Sequence, residues 1–254
     1  MSAELQNLAT ERQRLNMDGT FELLNPTIFI GDLEIREPIT ALTDILAAAV
    51  CFFAYHQLGK AQRPHRVERL MRSYFLFMGM GYTLAGLFGH GLQAYVGWEW
   101  KIPGWVITGY AITLYALSSF ELVLPRLGNR YHRMLSTLVV GLLVSMVILL
   151  ALPDTRDFFV VRMFNTIVII GLILPVHFYL WNKDANPGSL WVLGSMVVGI
   201  LTALVFSFQV TFNRWFNYHD ICHMLMALHS YLLYQATLRF IPQKRGLLEV
   251  ERSE

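Results

Sequence analysis

The strongest constraint on this chain is a succession of seven apolar segments, each close to bilayer length. They run over 38–58, 71–96, 103–124, 134–152, 158–181, 189–212 and 219–240. A helix needs about 20 apolar residues to cross the hydrocarbon core. The apolar residues come in long blocks rather than in alternation, as a bilayer requires and a soluble core does not. Composition agrees. Of 254 residues, 55% are hydrophobic and 15% charged, where a soluble domain carries about 25% charged residues. Pro38 and Pro103 open two of the segments, at the helix position that tolerates proline. The connections carry the breakers Pro64, Pro125, Gly128, Pro153, Pro187 and Gly188. The expected fold is all-α, a polytopic bundle of seven transmembrane helices. Residues 1–37 are expected to form an N-terminal tail, 38–241 the membrane domain and 242–254 a C-terminal tail. No separate soluble domain and no internal repeat stands out.

The net charge is +2, so no global field points to nucleic acid as a partner. Cys51 and Cys222 both lie in apolar stretches and read as small buried hydrophobes, with no disulfide framework. Residues 1–36 are polar and lack an early apolar core, unlike a signal peptide. Within them, 3–16 reads equally as a surface amphipathic helix or as a tail. Seven crossings put Arg12, Arg14, Arg36, Lys101, Arg156, Arg162 and Arg214 on the side of the N-terminus. The other side holds Lys60, Arg63, Arg66, Arg69, Arg72, Arg126, Arg130, Arg133, Lys183, Arg239, Lys244, Arg245 and Arg252. The second set is larger and concentrated in a short loop, so that side is expected in the cytoplasm. The N-terminus is then extracytoplasmic (periplasmic or lumenal) and the C-terminus cytoplasmic.

The same topology gathers the polar residues. Glu37, Thr40 and Asp44 open the first helix at i, i+3, i+7 spacing and share a face. His90 lies late in the second helix, with Glu99 in the loop after it. His219, Asp220 and His223 open the seventh. All fall at the extracytoplasmic end. His219 and His223 are i, i+4, so their imidazoles point the same way from successive turns. Neutral imidazole suits zinc, and three protein ligands plus water is the common catalytic set. His90, His219 and His223 are therefore the expected metal ligands. Nearby carboxylates orient such ligands or act as the base. Asp44, about two turns into the membrane, needs a partner, because an ionised aspartate there costs about 2.5 kcal/mol or more. The remaining histidines contrast with these. His56, His65, His132 and His177 fall at cytoplasmic helix ends or loops, where solvation explains them. His229 reads as a core hydrogen-bonding residue. Tyr82, Thr83, Tyr231 and Tyr234 either line a cavity or pack.

These residues resemble a known family. Seven spans, a late histidine in helix 2 and an HxxxH opening helix 7 are similar to the CREST superfamily of membrane hydrolases, and most to its alkaline ceramidases. His219 to His223, HDICH, looks like their zinc pair. The stretch HGLQAYVGWEWKIP from His90 resembles the segment that holds their other ligand. EPITALTD, from Glu37 to Asp44, resembles their first-helix motif. The resemblance implies an N-out, C-in chain. It implies zinc on His90, His219 and His223, and zinc-activated water cleaving a lipid amide into a fatty acid and a long-chain base. The substrate is then a lipid within the bilayer, with no obligate protein partner evident. Glu99, Asp44 and Thr40 are the expected catalytic residues, with Glu37 and Asp220 supporting the ligands. The chain also departs from the pattern. Gly86 stands where the family has a serine, and Glu99, offset by one residue, where it has an aspartate. The family's calcium site is matched clearly only by Glu37, with Asp32 and Glu34 close by.

Two other classes fit the same residues. One is a receptor or sensor with a structural metal. The other is a haem-binding electron carrier with His90 and a helix 7 histidine as axial ligands. A retinal protein does not fit, because helix 7 has no lysine. A transporter lacks support, since no repeat of broken helices is present.

Overall fold

A computed structural model describes residues 26–60 and 65–240. The segment 3–16, most of the tail 1–37 and all of 242–254 lie outside the described residues. The described chain is predominantly helical, and its first element is a small hairpin that the tail expected over 1–37 did not include. Strands β1 (Thr27–Ile30) and β2 (Leu33–Arg36) pair antiparallel, Thr27 opposite Arg36 and Ile30 opposite Leu33. The β-branched pattern TIFI–GD–LEIR explains the hairpin. Gly31 supplies the positive φ, 61°, that a two-residue hairpin turn demands. Tyr95 fastens the hairpin, since its hydroxyl accepts from the Glu34 amide at 2.7 Å.

Helix α1 (Pro38–Lys60) follows at once. Helix α2 (Arg66–Leu84) runs into a π-helical turn, Ala85–Gly91, and then into the short α3 (Gln93–Val96). A single turn, Trp98–Trp100, leads into Lys101–Ala151. That helix is broken at Gly128 (φ 72°, ψ 164°), three residues after Pro125. Pro125 removes one backbone donor, and Gly128 takes a conformation that side chains disfavour. The two limbs are α4 (101–127) and α5 (129–151). Next come α6 (Phe158–Thr166), a second π-helical stretch (Ile167–Ile173) and α7 (Leu174–Asp184), which form one rod. Helices α8 (Pro187–Phe208) and α9 (Tyr218–Thr237) complete the described chain. The segment boundaries track the apolar blocks of the sequence to within a few residues, except that α2 and α5 each start five residues earlier.

Four helical stretches are long and apolar enough to cross a membrane: Pro38–Lys60, Trp98–Ala151, Phe158–Asp184 and Pro187–Phe208. Helices α2 and α9 are not among them, for a physical reason. Each spends part of its length on polar or charged side chains, Arg66, Glu68, Arg69 and Arg72 on one, and His219, Asp220, His223 and His229 on the other. Outward faces elsewhere are apolar. Met134, Leu138, Val144 and Ile148 on α5, and Val197, Ile200, Leu201 and Leu204 on α8, are exposed. Apolar surface this continuous marks a face built for lipid or protein. Helix α1 packs between α2 and α9, α2 lies against α4, and α8 packs on α9 and α7. The interior face of α1 is Ala47, Ala48, Cys51 and Ala54, all buried. Small residues of this kind let membrane helices approach closely.

Candidate metal centre

The starts of α1 and α9 and the end of α2 meet at one end of the bundle. Glu37 caps α1: its carbonyl accepts from the Ala41 amide at 2.9 Å. It does so at φ 45°, a left-handed conformation that is strained for a residue with a side chain. Its carboxylate is buried and lies 2.5 Å from His90 Nδ1. His90 itself sits on the π-helical turn. The wider turn shifts the register of the helix there, and such turns are frequent at functional sites. Helix α9 opens with a reciprocal cap, in which the Asn217 side chain accepts from the His219 amide and Asp220 Oδ2 accepts from the Asn217 amide at 2.6 Å. Thr40 then ties α1 to that cap by donating to Asp220 Oδ1 at 2.7 Å.

The hydrogen bonds assign the histidine tautomers. Thr43 Oγ1 donates to the Thr40 carbonyl at 3.0 Å, so it has only lone pairs to offer His223 Nδ1, 3.3 Å away. His223 therefore carries its proton on Nδ1, leaving Nε2 bare. His90 donates from Nδ1 to the Glu37 carboxylate, so its Nε2 is bare as well. Burial raises the Glu37 carboxyl, but the His90 hydrogen bond and the positive charge of Lys101 work against it, and the carboxyl is held down to about 2. Glu37 is thus the ionised acceptor this arrangement needs. Both bare nitrogens face Asp44. His223 Nε2 is 3.4 Å from Oδ1, and His90 Nε2 is 3.7 Å from Oδ2. Asp44 is buried and its Oδ2 has no hydrogen-bond partner. Asp44, His90 and His223 each offer one ligand atom, all within 4.8 Å of one another. Ligand atoms around tetrahedral zinc, at bonds of about 2.0–2.2 Å, lie about 3.4 Å apart. Lone pairs converging in a buried site repel unless a cation joins them. The donor set and the second-nitrogen partners fit a metal ion.

A family model matches residues 39–241, a family of unknown function. The chain belongs to the DUF6962 family. No curated protein matches it. The DUF6962 match spans α1 to α9 and includes Thr40, Thr43, Asp44, His90, His219 and His223, while Glu37 stands just before it.

Within this DUF6962 chain the expected site residues divide. Asp44, His90 and His223 come together. The His219 ring is 6.1 Å from that of His90, and its Nδ1 is buried without a hydrogen-bond partner. Thr40 and Asp220 are joined to each other in the helix tie. Glu99 is exposed in the turn before α4, with no hydrogen bond to the cluster. Asp32 is exposed at the hairpin turn, and Glu34 is paired with Arg36 at 2.9 Å. Two residues were missed. Thr43 sits one turn beyond Thr40, a spacing readable from sequence. Lys101 carries charge close enough to act on Glu37, Asp44 and His219, which its place in a loop did not reveal.

Two histidines correct the solvation reading. His177 is fully buried, with Nε2 3.0 Å from Ser119 Oγ and Nδ1 3.1 Å from Ser189 Oγ. It joins α4, α7 and α8. His132 lies against Glu121, Nε2 to Oε1 3.0 Å, where Glu121 also meets Arg66 at 3.2 Å. His56 and His65 are exposed. His229 donates from Nδ1 to the Ser195 carbonyl at 2.8 Å.

Proposed function

We propose that this chain is a zinc-dependent intramembrane hydrolase that cleaves the amide bond of a lipid. The observation that supports this best is the convergence of the two bare Nε2 atoms of His90 and His223 on Asp44. Their second nitrogens are fixed by Glu37 and Thr43. Two histidines and a carboxylate form a familiar catalytic zinc set that keeps one position open. The His219 ligand role expected from the resemblance passes, in this reading, to Asp44. Bound zinc supplies Lewis acidity toward a carbonyl and toward water. His219, with its unpaired Nδ1, takes the proton of the attacking water. The water oxygen bonds to the carbonyl carbon. The C–N bond then breaks, and the departing amine receives the proton from His219. A fatty acid and an amine are the products.

The membrane placement belongs to the same proposal. The break at Gly128 divides the 54-residue stretch Trp98–Ala151 into two crossings. Helices α2 and α9 add two more, which makes seven, with Glu68 of α2 and Asp220, His223 and Ser230 of α9 buried. Basic residues are concentrated at the far end from the cluster, so the cluster faces the extracytoplasmic side. A haem carrier is disfavoured, because the Nε2 atoms of His90 and His223 both lie against the Asp44 carboxylate. Calcium gains no support, since Glu34 is committed to Arg36.

Metal analysis and turnover of a panel of N-acyl lipids test the reading together. Wild type is expected to hold about one zinc per chain. His223→Ala loses it, while His219→Ala keeps it and loses amide turnover. Wild-type protein that takes up no zinc, or His223→Ala protein that retains it, overturns the proposal. Zinc lost from His219→Ala would make His219 a fourth ligand and the centre a closed, structural one, as in a sensor.

A further inference from the structure

We infer that Lys101 is a catalytic residue of this site, whose ammonium holds the substrate's carbonyl oxygen as negative charge gathers on it. The inference rests on the hydrolase reading above and adds to it a residue that neither the sequence pattern nor the metal cluster identifies. When water adds to an amide carbonyl, the oxygen takes the π pair. It returns that pair as the C–N bond breaks. A preorganised donor aimed at this oxygen is usually the largest single contribution to such a reaction.

The donors around the cluster are almost all committed. Thr40 donates to Asp220, Thr43 to the Thr40 carbonyl, His90 to Glu37 and His223 to Thr43. Thr83 donates to the Gly79 carbonyl at 2.8 Å. The π-helical turn offers none ahead of His90, because the residue there is Gly86. A Cβ there would stand 2.9 Å from the Ala41 carbonyl oxygen and 2.9 Å from Asp44 Cβ, so α1 seals that position. The Lys101 ammonium, by contrast, makes no hydrogen bond or ion pair among the described residues.

Its position is defined by packing. The Lys101 side chain crosses Gly89, the residue before His90, with Cγ 3.3 Å from where a Cβ on that glycine would be. A larger residue at position 89 would push it aside. The half-buried chain therefore lies along the turn that carries a metal ligand, and its charge reaches Glu37, Asp44 and His219. A lysine offers three rotatable donors on a compact charge, suited to one oxygen whose position shifts as the carbonyl becomes tetrahedral. The plainer reading, in which Lys101 only balances the acidic groups, predicts no preference between a tetrahedral anion and a planar neutral amide.

Binding to the cobalt-loaded protein in detergent separates the two, with cobalt's visible absorption as the readout. Dodecylphosphonate mimics the tetrahedral anion, and dodecanamide the planar ground state. Lys101→Met is expected to bind the phosphonate more weakly by about tenfold or more, with cobalt content and amide affinity unchanged. Lys101→Arg is expected to recover part of the loss. Phosphonate affinity within about twofold of wild type in Lys101→Met, or equal weakening of both probes, overturns the assignment. Failure of wild type to take up cobalt, visible before any titration, overturns the metal reading itself.

Discussion

Placing a serine at position 86 tests whether the close approach of α1 to the π-helical turn is what builds the centre. The added Cβ would lie 2.9 Å from both the Ala41 carbonyl oxygen and Asp44 Cβ, and 3.5 Å from Ile45 Cδ1. Ordinary contact begins near 3.4 Å, so α1 must retreat by about half an ångström. The obstacle is helix backbone, which cannot swing away as a side-chain tip would. Overpacking of this kind costs about 1–3 kcal/mol. Each kcal/mol lowers the unfolding temperature of a chain this size by about 2–4 °C. The displaced helix carries Asp44, and the turn carries His90, already 3.7 Å apart. Metal sites tolerate about 0.2 Å of ligand error, so zinc retention should fall as well. Gly86→Ala should reproduce most of both effects, since the Cβ causes the clash. Thermal unfolding in detergent with and without zinc, alongside zinc content, gives the readout. Wild-type melting and zinc content in Gly86→Ser, or faster amide turnover, would show that the position has room, and the packing argument would fail.

Two further substitutions probe the support of the site and of the bundle. Glu37→Gln keeps a carbonyl acceptor beside His90 Nδ1 but removes the charge. Zinc affinity, measured by competition with a chelator, should fall about 10–100-fold, and a change within threefold would remove Glu37 from the metal's support. His177→Ala leaves a cavity and strands the Ser119 and Ser189 hydroxyls. The expected loss is about 3–5 kcal/mol of stability. Ser119 lies 18 residues along α4 from Lys101, about 27 Å at 1.5 Å per residue, so zinc content should not change. Wild-type melting, or lost zinc, would contradict this.

The helical rods were legible because their signal is local. Each apolar block is bounded by prolines and glycines that act on the backbone beside them. The Gly128 break and the rod from Phe158 to Asp184 both sit where the punctuation put them. What the sequence hid is non-local or competes with a stronger cue. The hairpin at Thr27–Arg36 is too short to stand out in a polar N-terminal stretch, and its anchor, Tyr95, is some 60 residues away. His177 follows Pro175 near a helix end and looked solvated. Its burial depends on α4 and α8 closing over it with two serines, which no spacing along one helix records.

The centre divides along the same line, and the division bears on its chemistry. Depth was readable: helix count alone placed Glu37, Asp44, His90, His219 and His223 at one end. Rotation was not. An i, i+4 histidine pair shares a helix face, yet two imidazoles on one face need not reach one point. Which of them does depends on the neighbours. Here α1 is close enough, because residue 86 is glycine, to bring both Asp44 oxygens against His90 and His223. The Thr40–Asp220 bond then fixes α9 relative to α1 at the turn that holds His219. The result is a carboxylate between two histidines with a third histidine beside them. That differs in kind from three equivalent histidines, because it leaves one imidazole, His219, with a nitrogen that has no hydrogen-bond partner, the one to which the proposed hydrolase reading gives the proton. The glycine that departs from the resembled pattern and the aspartate that enters the cluster are therefore one structural fact. A serine at 86 would press α1 away and carry Asp44 from the two histidines.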